Sequence, residues 1–109
     1  KLHAVLELHT FSSLNKDFIQ TYDHTMKAAD EAIVYFNPDV VAHKKLAAIS
    51  AEELQAAFGR SDLKVYTDSA ALFADLAAKT YSQDVLLLMS SGNFNGTDIP
   101  SFVSNLLNR

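Results

Sequence analysis

A chain of 109 residues is long enough for one hydrophobic core and too short for two ordinary domains. Apolar residues make up 49% and charged residues 20%, the balance of a globular protein that needs no covalent staples. The net charge of -4 accompanies nine scattered Lys and Arg rather than a basic face, which argues against nucleic acid as a partner. With no cysteine, a disulfide framework and a cysteine-based zinc site are excluded, and a reducing cytoplasm is the expected compartment.

The start, Lys1-Leu2-His3, has neither an initiator Met nor the pattern of a signal peptide, and it leads almost directly into a strand. The sequence therefore reads as one domain, residues 1–109, excised from a longer polypeptide. No apolar run approaches the roughly 20 residues needed to cross a bilayer, so no membrane association is expected.

The first predicted strand is Ala4-Val5-Leu6-Glu7-Leu8. Glu7 is the odd charge within it; either a buried partner or a solvated edge would accommodate it. Beyond it, Phe18, Ile19, Tyr22, Met26 and Ala29 recur at helical steps and predict one amphipathic helix. The second strand, Ala32 to Phe36, is apolar throughout, as strands covered on both faces are. Val40 to Ile49 suits either a short extra helix or a loop.

Ser50-Ala51-Glu52-Glu53 is a capping box that opens a helix burying Leu54, Ala57 and Phe58, with Gly59 as its C-cap. Leu63 to Thr67 is the third strand. Asp68 or Ser69 then caps a helix with Leu72, Phe73 and Leu76 on its inner face. Val85 to Met89, again apolar throughout, is the fourth strand. Thr97 or Asp98 caps the last helix, with Pro100 in its first turn and Phe102, Val103, Leu106 and Leu107 facing inward. This β-α alternation predicts a three-layer αβα, Rossmann-like, doubly wound fold around a mostly parallel sheet of four or more strands.

In such sheets ligands bind beyond the carboxyl ends of the strands. Two loops there carry most of the polar groups. Ser90, Ser91, Gly92, Asn93, Asn95 and Thr97 lie between a strand and a helix N-terminus, where glycine admits close backbone approach and the helix end favours a carboxylate or phosphate. Turn and cap formation accounts for the same residues equally well. The other loop offers His9, Thr10, Ser12 and Ser13. There His9 is a donor, base or substrate contact, or else a histidine bonded within the loop. The loops match neither a phosphate-binding Gly-Lys-Ser/Thr motif nor a dinucleotide fingerprint. No nucleophile elbow or metal-ligand spacing is present among Ser13, His3, His24 and His43, so no catalytic or metal-binding residue is expected.

The segments Val5-Leu6-Glu7-Leu8-His9-Thr10-Phe11-Ser12-Ser13 and Leu87-Leu88-Met89-Ser90-Ser91-Gly92-Asn93-Phe94-Asn95-Gly96 resemble the C-terminal domain of the Mur ligase family. There the first strand ends in Glu-Pro-Arg-Ser-Asn-Thr or Gln-Pro-His-Arg-Tyr, and the last is followed by Met-Ser-Asn-Gly-Gly-Phe-Gly-Gly or Gly-Ala-Gly-Asn. The resemblance implies an ATP-dependent ligase of peptidoglycan synthesis and recycling that joins an amino acid or peptide to UDP-N-acetylmuramate through an acyl phosphate. ATP and Mg2+ would belong to the central domain of that parent, and this chain would bind neither. Its implied partners are the N-terminal and central domains, the UDP-sugar and the incoming amine. Its implied substrate contacts are His9, Ser12, Ser91, Gly92 and Asn93, and the polar-loop reading adds Thr10, Ser13, Ser90 and Asn95 as expected binding residues. Leu8 stands where the family has Pro and His9 where its nearest subgroup has Arg, so the bidentate carboxylate fork of an Arg is absent.

Two other readings compete. A freestanding small-anion module remains compatible with the polar loops. A phosphoacceptor receiver does not, because His9, Thr10 and Phe11 stand where its acidic residues belong and no Lys follows Met89.

Overall fold

The computed structural model describes residues 1–109. Four strands, β1 (Leu2–Glu7), β2 (Glu31–Tyr35), β3 (Lys64–Tyr66) and β4 (Val85–Met89), form one sheet in the order β3-β2-β1-β4. Every pairing is parallel, with Val5 opposite Ile33 on one side and Leu88 on the other. The helices are α1 (Lys16–Ile19, continued as a 3-10 turn over Gln20–Tyr22), α2 (Pro38–His43), α3 (Ala51–Phe58), α4 (Ser69–Ala78) and α5 (Ile99–Leu107).

Alternation of side chains along the strands divides the core in two. Ala4, Leu8, Ala32, Val34 and Phe36 meet Ile19 of α1, Val41 of α2 and Leu54, Ala57 and Phe58 of α3. On the other face, Val5, Ile33 and Tyr35 meet Leu72, Phe73 and Leu76 of α4, with Phe94 and the half-buried Phe102 of α5. The three-layer αβα arrangement is that expected of the alternating pattern. Phe58 is fully buried and stacks on Tyr22 with ring centroids 5.1 Å apart. Burial of such a side chain contributes about 1.5–3 kcal/mol.

The caps follow from local chemistry. Ser50 and Glu53 make both halves of the capping box, and Gly59 ends α3 at φ 68°, where a side chain is strained. Asp68 accepts from the Ala70 amide, and Asp98 accepts from both the amide and the hydroxyl of Ser101.

Three expectations are corrected. The periodicity from Phe18 to Ala29 does not become one helix. His24 takes φ 63° and donates its amide to the Phe58 carbonyl, while Arg60 Nη1 binds the carbonyls of Met26 (2.9 Å) and Ala29 (2.7 Å). Ile19, Met26 and Ala29 are still buried, but on a turned segment whose carbonyls serve α3's neighbour instead of a helical ladder.

β4, though apolar throughout, is an edge strand: Val85 is 58% and Leu87 42% exposed, because no helix covers their face beyond β1. Val103 and Leu107 of α5 are exposed as well, because that helix meets the core only through half-buried Ile99 and Phe102. The Val40–Ile49 stretch resolves into both alternatives, helix through His43 and irregular chain from Lys45 to Ile49. No helix is long and apolar enough to cross a membrane.

Candidate functional site

The chain steps outward from β1 to β2 to β3, then returns to the other side of β1 as β4. After β1 it turns towards α1 on one face, and after β4 towards α5 on the opposite face. Loops leaving adjacent strands in opposite directions open a crevice at the carboxyl edge, which is where open α/β sheets bind ligands. Here the His9–Ser13 and Ser90–Thr97 segments flank that position and pack on each other, and no cavity is lined by both.

Glu7, the last residue of β1, ties the two together. It is only 6% exposed, and one oxygen, Oε1, accepts from the Ser90 hydroxyl and from the Phe94 amide at 2.9 Å. The buried charge is thus compensated by two directed donors, which is the condition for keeping a carboxylate in a core. The sequence marked Glu7 as anomalous without assigning it to the site. The missing information was the register that sets Leu6 opposite Met89 and so brings the next residue of each strand into reach.

Phe94 anchors the Ser90–Thr97 loop from beneath. Its ring is 2% exposed and meets Phe73 edge-on at 5.4 Å and Tyr35 at 6.1 Å. Three successive residues, Phe94, Asn95 and Gly96, take positive φ of 54°, 61° and 81°. Asn93 stabilises that turn, its side chain accepting from the Gly96 amide (2.8 Å) and its carbonyl from the Thr97 amide (3.0 Å). Ser90 accepts from the Gly92 amide at 2.8 Å while donating to Glu7, so its hydroxyl is committed to loop structure. Ser91, Gly92, Asn93 and Asn95 face outward.

His9 lies directly against this loop. A Cβ at position 92 would come within 3.1 Å of His9 Cδ2 and 3.3 Å of Glu7 Oε1, so glycine is what lets the imidazole pack there. His9 itself is exposed, as are Thr10, Phe11 and Ser12. Ser13 differs. Its buried hydroxyl accepts from the Thr10 amide and hydroxyl and donates to the Thr10 carbonyl, all at 3.0–3.1 Å. Those bonds use its full hydrogen-bonding capacity. Ser13 therefore shapes the loop, and Asn15 rather than Ser13 caps α1.

No family model, curated protein or solved structure matches the chain.

Chemically, the edge offers an exposed imidazole, the Ser12 and Ser91 hydroxyls, two exposed Asn and the backbone at Gly92 and Gly96. Burial raises the phenol of nearby Tyr35, with the Glu7 and Asp68 charges adding to the rise and a hydrogen bond from Ser69 opposing it, so Tyr35 stays protonated. The edge offers neither Ser13 nor Ser90 as a free nucleophile, because Thr10 uses the full capacity of Ser13 and Ser90 is held between the Glu7 carboxylate of β1 and the Gly92 amide. Nor does it fit magnesium, which takes several oxygen ligands in an octahedron: Glu7 is the carboxylate at hand, and its Oε1 is filled by protein donors. The exposed groups of this edge are hydrogen-bond donors and acceptors open to solvent.

Proposed function

We propose that this chain is the C-terminal, substrate-closing domain of a Mur-type ATP-dependent amide ligase. Its loop sequences resemble those of murein peptide ligase, the UDP-N-acetylmuramate:L-alanyl-γ-D-glutamyl-meso-diaminopimelate ligase. The observation that carries the reading is the junction of the His9 and Ser90–Thr97 segments at the carboxyl edge through Glu7, with His9 packed on Gly92. These are the two segments on which the family resemblance rests, and a docking face needs them side by side.

The role is positional. His9, Ser12, Ser91, Asn93 and Asn95 bind the incoming peptide and hold its amine towards an acyl phosphate formed on another domain of a cytoplasmic parent. Holding two reactants in register removes much of the entropic barrier, and closure excludes the water that would hydrolyse the acyl phosphate. ATP and Mg2+ act on the central domain, and no step through them is assigned to this chain.

The test is a titration of the 15N-labelled chain with L-alanyl-γ-D-glutamyl-meso-diaminopimelate, and separately with inorganic phosphate. Peptide-dependent shifts confined to His9–Ser12 and Ser91–Asn95, without ATP hydrolysis, are the expected result. Shifts with phosphate and none with peptide would favour a freestanding anion-binding module, a reading supported by the run of positive-φ residues leading into α5. Ligase turnover by the chain alone, or peptide shifts elsewhere, would overturn the proposal. In the parent enzyme, His9→Ala and Asn93→Ala should raise KM for the amine substrate while leaving ATP binding unchanged.

A further inference from the structure

His3, Val5 and Glu7 share one face of β1, and Glu7 at the carboxyl end has a counterpart in His3 at the amino end. The His3 side chain is 11% exposed. Its Nδ1 lies 3.2 Å from Glu31 Oε1 on β2, and its Nε2 lies 2.9 Å from Asp84 Oδ2, just before β4. Tyr81 closes the space with its ring edge-on at 5.2 Å. One imidazole therefore links the entries of β2 and β4 across β1.

Both partners are carboxylate oxygens, which only accept. A neutral imidazole has one N–H and one lone pair, and only the imidazolium has two N–H groups. The other groups facing this cluster keep the carboxylates ionised. Burial would raise Glu31, but hydrogen bonds from Lys64 of β3, from Lys79 after α4 and from His3 bring it down to about 2. Asp84 is lowered by its bond from His3 and by the Lys1 ammonium at 3.2 Å. Arg109, at the end of α5, lies over Tyr81 and binds the carbonyls of Ala77 and Lys79.

We propose that His3 is a proton-operated clasp that fastens the edge strand β4 to the sheet. As imidazolium it donates to both carboxylates; on losing its proton it turns a lone pair towards one of them and that leg opens. β4 is the strand that responds, because it pairs with β1 alone while β2 is held on both sides. Two N–H groups close the clasp and one leaves it open, so the form with the second proton is the closed one and the sign is loss of the clasp with rising pH. The far end of the same strand leads into the Ser90–Thr97 loop.

Hydrogen exchange on the intact chain tests this. Protection factors of the β4 amides, Val85 first because it donates to the Lys1 carbonyl, are compared with those of Ile33 and Val34 between about pH 5 and 8. The expected result is a loss of about tenfold at β4 relative to β2 as pH rises, the effect of one charge-assisted bond. His3→Gln should abolish that pH dependence. It leaves His9, His24 and His43 in place, so their titration is separated from that of His3. If His3→Gln does not fold, 15N spectra of the wild-type His3 ring serve instead: two N–H nitrogens at low pH, converting with the midpoint seen at β4. A ring with a single N–H throughout, titration without change at β4, or pH dependence persisting in His3→Gln would overturn the proposal.

Discussion

Replacing Glu7 separates its structural contribution from that of its charge. In Glu7→Ala both bonds to Oε1 are lost. Ser90 is exposed and can turn its hydroxyl to water, so its loss costs little. The Phe94 amide sits above a ring that is 2% exposed, and leaving such a donor unpaired costs about 1–3 kcal/mol. Part of that is offset because the variant no longer buries a carboxylate. We therefore expect Glu7→Ala to lose about 2 kcal/mol, against a typical domain stability of about 5–15 kcal/mol, and to remain folded. In Glu7→Gln the amide oxygen occupies the same position and still accepts from both donors, now without charge. Neutral bonds are roughly half as strong, so about 1 kcal/mol is expected. Urea denaturation gives both values, and amide spectra report whether Phe94 and His9 move together. Equal loss in the two variants would show that shape or charge burial, not the shared acceptor, determines the effect. An unshifted Phe94 amide in Glu7→Ala would refute the reasoning outright.

Glu31 predicts an acid limb to stability. Its folded value of about 2 lies below the ordinary 4.5, so its contribution is full above pH 4.5 and is lost as pH falls towards 2. Glu31→Gln should therefore be less stable than wild type by about 2–3 kcal/mol at pH 7 and match it near pH 2, measured by denaturation at both pH values. Gly92→Ala adds a Cβ within 3.1–3.3 Å of His9 and Glu7; the exposed imidazole is the group that can yield, so His9 resonances should move while stability changes by less than about 1 kcal/mol. Phe58→Ala empties a fully buried site stacked on Tyr22 and should cost about 3–5 kcal/mol in thermal or urea unfolding, well above the loss from truncating half-buried Phe102.

The fold class was legible because its determinants are local. Apolar runs of strand length, the Ser50–Glu53 capping box, Gly59 and the Asp68 and Asp98 caps act within a few residues of themselves, and each stands where the pattern put it. The polar loops were legible for the same reason. The first helix misled because periodicity reports which side chains are buried, not how the backbone between them satisfies its carbonyls. Ile19, Met26 and Ala29 are buried, yet Arg60, more than thirty residues away, takes the carbonyls of Met26 and Ala29.

Sequence by itself determined that the chain alternates strand and helix around one core and that its hydroxyl and amide groups gather past two strand ends. Only the tertiary structure decided that β4 lies beside β1 at the sheet's edge. That single neighbour relation exposes Val85 and Leu87, brings His9 against Gly92, and turns the stray charge of Glu7 into the bond between two loops. Strand order is a long-range choice among arrangements with the same hydrophobic pattern, so no window of neighbouring residues records it.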